Sequence, residues 1–234
     1  MLLGMDAKIT QFNVQLYFKE PVLNDAELLK GAFTAADGFA ANPVAEDYGT
    51  HPMQGTLSFY RQGFRIVPVQ SNALPFRILQ VMSYPNALAS PESETVECLH
   101  FVAAQLNERL QVDLDRDIYA VRVVSHAIVN GNPDVQRILS RLTTIENIPS
   151  LAGRYVAHKN PMDAIQLVTR TVSDGLTQES WSDIRVSQFN TSSYVVTIFN
   201  ETESLALALQ SISSTRRFVE TMMQEMEQAS QRQA

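Results

Sequence analysis

Four arginines, a tyrosine and a histidine are the side chains of this sequence best suited to recognition chemistry. Tyr60, Arg65, Arg77, Arg122 and Arg185 fall at positions that a two-residue period assigns to the polar side of β-strands, together with Gln11, Asn13, Gln15, Ser58, Ser187 and Thr197. Guanidinium forks match carboxylates, phosphates and aromatic faces. The set therefore reads as a docking surface for an anionic or polar partner, or as an ordinary solvated sheet face. Val67, Leu79, Val81 and Val195 share the same parity. Apolar residues among amides are what a partner or dimer interface presents.

Catalytic chemistry finds less support. Of His51, His100, His126 and His158, none forms an H-x-x-x-H pair, and His126 alone falls on an expected strand near polar groups. A general base needs a partner within hydrogen-bond reach, which the sequence does not supply. Ser125 and His126 are adjacent, so on a strand they point to opposite faces. Asp113, Asp115 and Asp117 make a D-x-D-x-D run, but Ile118 and Val124 stand where a calcium loop needs glycine and glutamate. The run reads as a solvated linker. No Walker loop, nucleophile elbow, dinucleotide fingerprint or zincin motif occurs. Cys98 is the single cysteine, which excludes an internal disulfide and a cysteine-built zinc cage. It falls on the apolar side of an expected helix and reads as a buried, inert thiol. No cofactor and no metal are expected.

Alternating runs at 9–18, 56–60, 64–69, 76–81, 118–124, 184–189 and 194–199 predict strands, and 164–172 reads as a further strand. In the run at 118–124, Tyr119, Val121 and Val123 fall on one side. Pro68 suggests an edge or a bulge in its strand. Helices are expected with Leu28, Leu29, Ala32 and Phe33 on an inner stripe, from Ser90-Pro91-Glu92 to about Leu110, around Ile138, Leu139 and Leu142, and after an N-x-x-E signal at Asn200 and Glu203. The last helix carries Leu205, Leu209, Ile212, Val219, Met222, Met223 and Met226 on one stripe, with 228–234 polar and frayed. Its methionines fill a core or, past the end of the sheet, meet a second subunit.

These elements fall into two copies of one α+β unit, 1–112 and 113–234, possessing the same order: strand, helix, loop, about three antiparallel strands, long helix. Leu29 matches Leu139 and Val102 matches Ile212 at an offset of 110, while Val14 matches Val123 at 109. The two units read either as separate domains or as one continuous pseudo-two-fold domain with all helices on one face of a largely antiparallel sheet. The order resembles the repeat of TATA-binding-protein-like folds, which also pack two pseudo-symmetric halves in this way. The resemblance is one of topology and covers most of the chain.

Composition narrows the function classes. Hydrophobic residues make up 45% and charged residues 18%, the balance of a globular chain. The net charge of −7 is shared between the halves: 7 basic and 11 acidic residues in 1–112, 11 basic and 14 acidic in 113–234. Four lysines and no basic run argue against nucleic-acid binding. No apolar run reaches the roughly 20 residues of a membrane span, and no signal peptide is legible. A cytoplasmic setting is the default. The leading expectation is a non-enzymatic binding or assembly protein, self-associating as a homodimer through the open sheet face and the Val219, Met222, Met223, Met226 stripe. The alternative is a sensor or enzyme for a small anionic ligand or nucleotide, with Arg65, Arg77, Arg122, Arg185 and His126 lining a site between the halves.

Overall fold

Two long strands, β1 (Asp6–Phe18) and β6 (Ile118–Asn130), lie antiparallel at the middle of the molecule. In the computed structural model, which describes residues 6–23, 26–34, 39–42, 57–69, 77–130, 164–172, 179–190 and 193–232, seven further strands extend this pair outward. They are β2 (Ala40–Asn42), β3 (Ser58–Arg61), β4 (Phe64–Val69), β5 (Ile78–Ser83), β7 (Ala164–Val172), β8 (Glu179–Asn190) and β9 (Ser193–Thr202). One antiparallel sheet results, in the order β2-β3-β4-β5-β1-β6-β9-β8-β7.

The alternation of apolar residues decides which face is covered. Ile66, Val81, Val14 and Val123 form one row across four strands, and all four are buried. Phe12, Leu16 and Phe18 share that face and are fully buried. Onto it pack α2 (Pro91–Leu110), through Leu99, Val102 and Leu106, and α4 (Leu205–Arg232), through Ala208, Ile212, Val219 and Met223. The helix α1 (Ala26–Thr34) packs against α2, and its Phe33 ring sits 5.0 Å from that of Phe59. Strand and helix residues of both halves join one apolar cluster. Each buried Leu, Ile, Val or Phe contributes about 1.5–3 kcal/mol.

Local chemistry sets the boundaries. Gly63 turns β3 into β4 at φ 80, where a Cβ would also run into the Leu88 side chain. At the start of α2, Pro91 occupies the first turn, but the Ser90 hydroxyl makes no cap; the Glu94 carboxylate instead accepts from the Ser90 N–H at 2.6 Å. The aspartate run folds as a one-turn helix, α3 (Leu114–Asp117), with the Asp113 side chain accepting from Asp115 N and the Asp117 carboxylate from Asp113 N. Pro68 sits in β4 next to β5 and beyond the last β4 residue paired with β3, so on that side it is locally at an edge.

Several expectations are corrected. Asn200 does not cap the last helix: β9 continues to Thr202, and Ser204 caps α4, its hydroxyl accepting from Leu207 N at 3.3 Å. That helix runs on to Arg232 rather than fraying at 228. Leu28 is 51% exposed, because Leu29, Ala32 and Phe33 suffice for the inner stripe of α1. Tyr119 leaves the Val121 face because a bulge between Tyr17 and Phe18 brings Ile118 opposite Phe18. Asn24 and Asp25, residue types that cap a helix, the turn-forming pairs Ser71-Asn72 and Asp174-Gly175, and the helix expected around Ile138, Leu139 and Leu142 lie outside the described residues.

At the end of the β1–β5 ladder, Ser83 is buried and its hydroxyl accepts from Phe12 N at 2.8 Å and donates to Phe12 O at 3.3 Å. Replacing Ser83 by Ala strands both backbone groups. Urea denaturation is expected to show a loss of about 1–3 kcal/mol with an unchanged slope.

Candidate functional site

The face of the sheet turned away from the helices is organised in rows. One runs Tyr60, Arg65, Met82, Asn13, Val124, Phe199 across β3, β4, β5, β1, β6 and β9. The next holds Val67, Gln80, Gln15, Arg122 and Glu201. On the other side of the first lie Gln11, His126, Thr197 and Arg185. Among the described residues every helix packs on the opposite face. Amides, apolar side chains and arginines thus share one surface, and most of them are half-buried by one another.

Polar groups on this surface are largely paired. Both Nε and a terminal nitrogen of Arg122 donate to one Glu201 carboxylate oxygen, at 3.1 and 2.7 Å. The Arg122 guanidinium lies 5.4 Å from the centre of the Tyr17 ring, which in turn is 5.8 Å from Tyr119. Tyr17 donates to Gln15 at 2.7 Å, and Gln80 donates to Asn13 at 2.9 Å. Burial pushes the Tyr17 phenol up, against the opposing pull of the Arg122 charge. A second stack places Arg65 5.4 Å over the Tyr60 ring, and Ser58 donates to the Tyr60 hydroxyl at 3.2 Å. The Arg65 Nε is shut off from solvent and meets no acceptor among the described residues. Cation–π contacts of this kind contribute about 0.5–1 kcal/mol when exposed and more when desolvated.

His126 is the titratable group of the third row. Its Nδ1 is 3.2 Å from the Thr197 hydroxyl, while its backbone carbonyl accepts from Thr10 at 3.1 Å. Burial pushes its pKa below the ordinary 6.5, so the neutral ring is favoured. Burial is the sole cause of that shift, and among the described residues no group of three His, Cys, Asp or Glu could hold a metal. Burial drives the Cys98 thiol up to about 12, which keeps it protonated and unreactive. It borders a crevice of about 370 Å³ lined also by Arg61, Gln62, Phe64, Glu94 and Glu97. Of its two carboxylates, Glu94 is engaged with Ser90 N.

The arginines do not converge. Arg65 and Arg122 are separated by three strand spacings, roughly 14 Å. Arg185 is exposed on β8, four residues out of line with Arg122 along the sheet. Arg77 precedes β5 and has the parity of Leu79 and Val81, which are buried under the helices; its side chain reaches Glu20 at 4.0 Å instead. Of the expected contact stripe on α4, Val219 and Met223 are fully buried in the core cluster and Met222 is packed against it; the side chain of Met226 lies outside the described residues. Sequence reasoning missed Glu201, because the expected cap at Asn200 ends the strand too early. Continuing the alternation of Thr197 and Phe199 by two residues puts Glu201 on the open face.

No family model matches the chain, and no curated protein does. Among solved structures, the di-domain ARO/CYC StfQ from the steffimycin biosynthetic pathway aligns over 95% of this chain and 96% of its own, at 11% identity and a TM-score of 0.20. A likeness that slight carries no argument about fold or activity.

Two measurements check the geometry of the site. A double-mutant cycle with Arg122→Met and Glu201→Gln is expected to give a coupling of about 0.3–1 kcal/mol, as befits a half-exposed pair. Because the folded pKa of His126 lies below its unfolded value, the unfolded chain takes up the proton first as pH falls through 6.5. Stability is therefore lost below that pH until the folded ring also titrates. His126→Gln is expected to remove this loss, so the difference in Tm between variant and parent grows on acidification from neutrality.

Proposed function

We propose that the chain is a non-enzymatic docking protein that offers the open face of its sheet to a protein partner. The observation that carries this reading is the composition of that face. Two arginine–tyrosine stacks, Arg122 on Tyr17 and Arg65 on Tyr60, stand among half-buried amides and the apolar Met82, Val124, Ile128, Val195 and Phe199. Tyrosine and arginine are the residues in which interface energy concentrates, and apolar side chains surrounded by amides are typical of such surfaces. The two arginines contribute as anchors stacked on tyrosine, Arg122 also paired with Glu201, rather than as a cluster around one small ligand.

The pseudo-two-fold reading, with units 1–112 and 113–234, belongs to the same proposal. What supports it is the strand order outward from the centre: β1, β5, β4, β3 on one side and β6, β9, β8, β7 on the other. Val14 faces Val123, its counterpart in the repeat. In the helices, Thr95, Cys98, Val102 and Gln105 are buried, as are Leu205, Ala208, Ile212 and Thr215, each 110 residues later. A doubled unit gives a long, continuous face of the size a protein partner needs.

Site-specific photo-crosslinking tests the reading. A photoreactive residue at Gln15 or Thr197, on the open face, is expected to capture a protein in cells, whereas one at Asn107 or Ser213, exposed on the helices, captures none. Tyr17→Ala or Arg65→Ala is expected to weaken binding of the captured protein by about 5- to 30-fold, the range of a hot-spot truncation. Equal capture from both faces, or affinity unmoved by either substitution, overturns it.

A further inference from the structure

The two outer edges of the sheet are unlike. On one side the sheet closes with β2, three residues long. On the other it ends in β7, nine residues of sequence AIQLVTRTV. Among the described residues nothing pairs with β7 on the side away from β8. An edge strand of that length presents a row of outward N–H and C=O groups, and natural sheets blunt such edges with short strands, proline, lysine or bulges. β7 has no proline, no lysine and a regular register with β8 throughout. Five of its nine residues, Ile165, Val168, Thr169, Thr171 and Val172, are β-branched, the type most favourable to strand pairing.

We propose that β7 is a self-association edge: a second copy of the chain lays its own Ala164–Val172 antiparallel against it, across a two-fold axis at Val168. Self-complementarity singles out this occupant. An antiparallel pair of identical strands matches each outward donor with an acceptor, and a two-fold axis closes the assembly at two copies. Centred on Val168 the pairing uses all nine residues, and the one charged residue, Arg170, falls opposite Gln166 rather than opposite its own copy. The long edges are then turned inward. What remains outside is the three-residue β2 at each end, too short to propagate the sheet. The pairing leaves the open face uncovered, so it stands independently of the docking reading above.

Disulfide trapping and sedimentation on the full chain test the proposal. The parent chain is expected to sediment as a dimer in the micromolar range. Val168→Cys is expected to oxidise to a covalent dimer, since the buried Cys98 offers no competing thiol. Ala40→Cys, on the opposite edge, is expected to run as a monomer in non-reducing denaturing electrophoresis. Gln166→Arg sets like charges opposite Arg170 twice per dimer and is expected to weaken association by roughly 2- to 30-fold; Gln166→Glu is expected to strengthen it by a similar factor. A parent chain monomeric up to the highest soluble concentration overturns the proposal. So does cross-linking of Ala40→Cys as efficient as that of Val168→Cys, or a dimer indifferent to both charges at position 166.

Discussion

The pairing of β1 with β6 is the joint on which the other elements depend. Its register is held at twelve positions from Asp6–Asn130 to Phe18–Ile118, between residues about a hundred positions apart in the chain. Every strand of the first half attaches to the molecule through β1, and every described strand of the second half through β6. The joint also fuses the apolar faces. Val14, Leu16, Val121 and Val123 lie side by side beneath α2 and α4, so the halves share one core and neither buries its central strand alone. Such non-local pairing carries a large loop-closure entropy, which the continuous apolar row must offset.

The same joint creates the open face. Gln15 stands opposite Arg122, and Gln11 opposite His126, only because β1 and β6 are neighbours. Coverage of one side by helices forces the apolar residues of each strand there and leaves the polar alternates on the other side. Those alternates are long side chains that lie along the sheet and pair with one another. Arg122 is neutralised by Glu201 and held over the Tyr17 ring, and this removes rotamer freedom before any partner arrives. A surface ordered in this way is suited to shape recognition.

Much of this architecture is legible in the sequence, and the failures have specific causes. A two-residue period identifies β1, β4, β6, β8 and β9, and it separates Phe12, Val14, Leu16 from Asn13, Gln15, Tyr17 correctly, because a strand with one buried face must alternate. Parity carries from one strand to the next only if register is known. Arg77 is therefore expected beside Arg65, although Leu79 and Val81, on its own parity, face the helices. Tyr119 is expected beside Val121, although a bulge lies between them and the end of β1. The partners that define the site, Glu201 for Arg122 and Thr197 for His126, are more than seventy residues away in sequence, and no local pattern encodes such contacts. The methionine stripe, read as core filler or as a contact for a second subunit, is ambiguous for a different reason. An apolar helix face looks the same from sequence whether it meets its own sheet or another chain, and here α4 is long enough for Val219 and Met223 to remain over the central strands.

Edge management links the two surfaces. A sheet that leaves one face open must keep that face from stacking indiscriminately, and the amides and paired charges interspersed with its apolar residues limit the extent of any one apolar patch. Its edges carry a separate hazard, because backbone groups pair with any strand regardless of side chain. At the β2 edge brevity removes the hazard. At the β7 edge neither brevity nor proline nor lysine does, while the adjoining β8 and β9 are long. Retaining a long, β-branched, weakly charged strand at a boundary costs solubility unless a mate of matching length covers it. An identical strand supplies that mate at equal concentration and closes the sheet after a single addition.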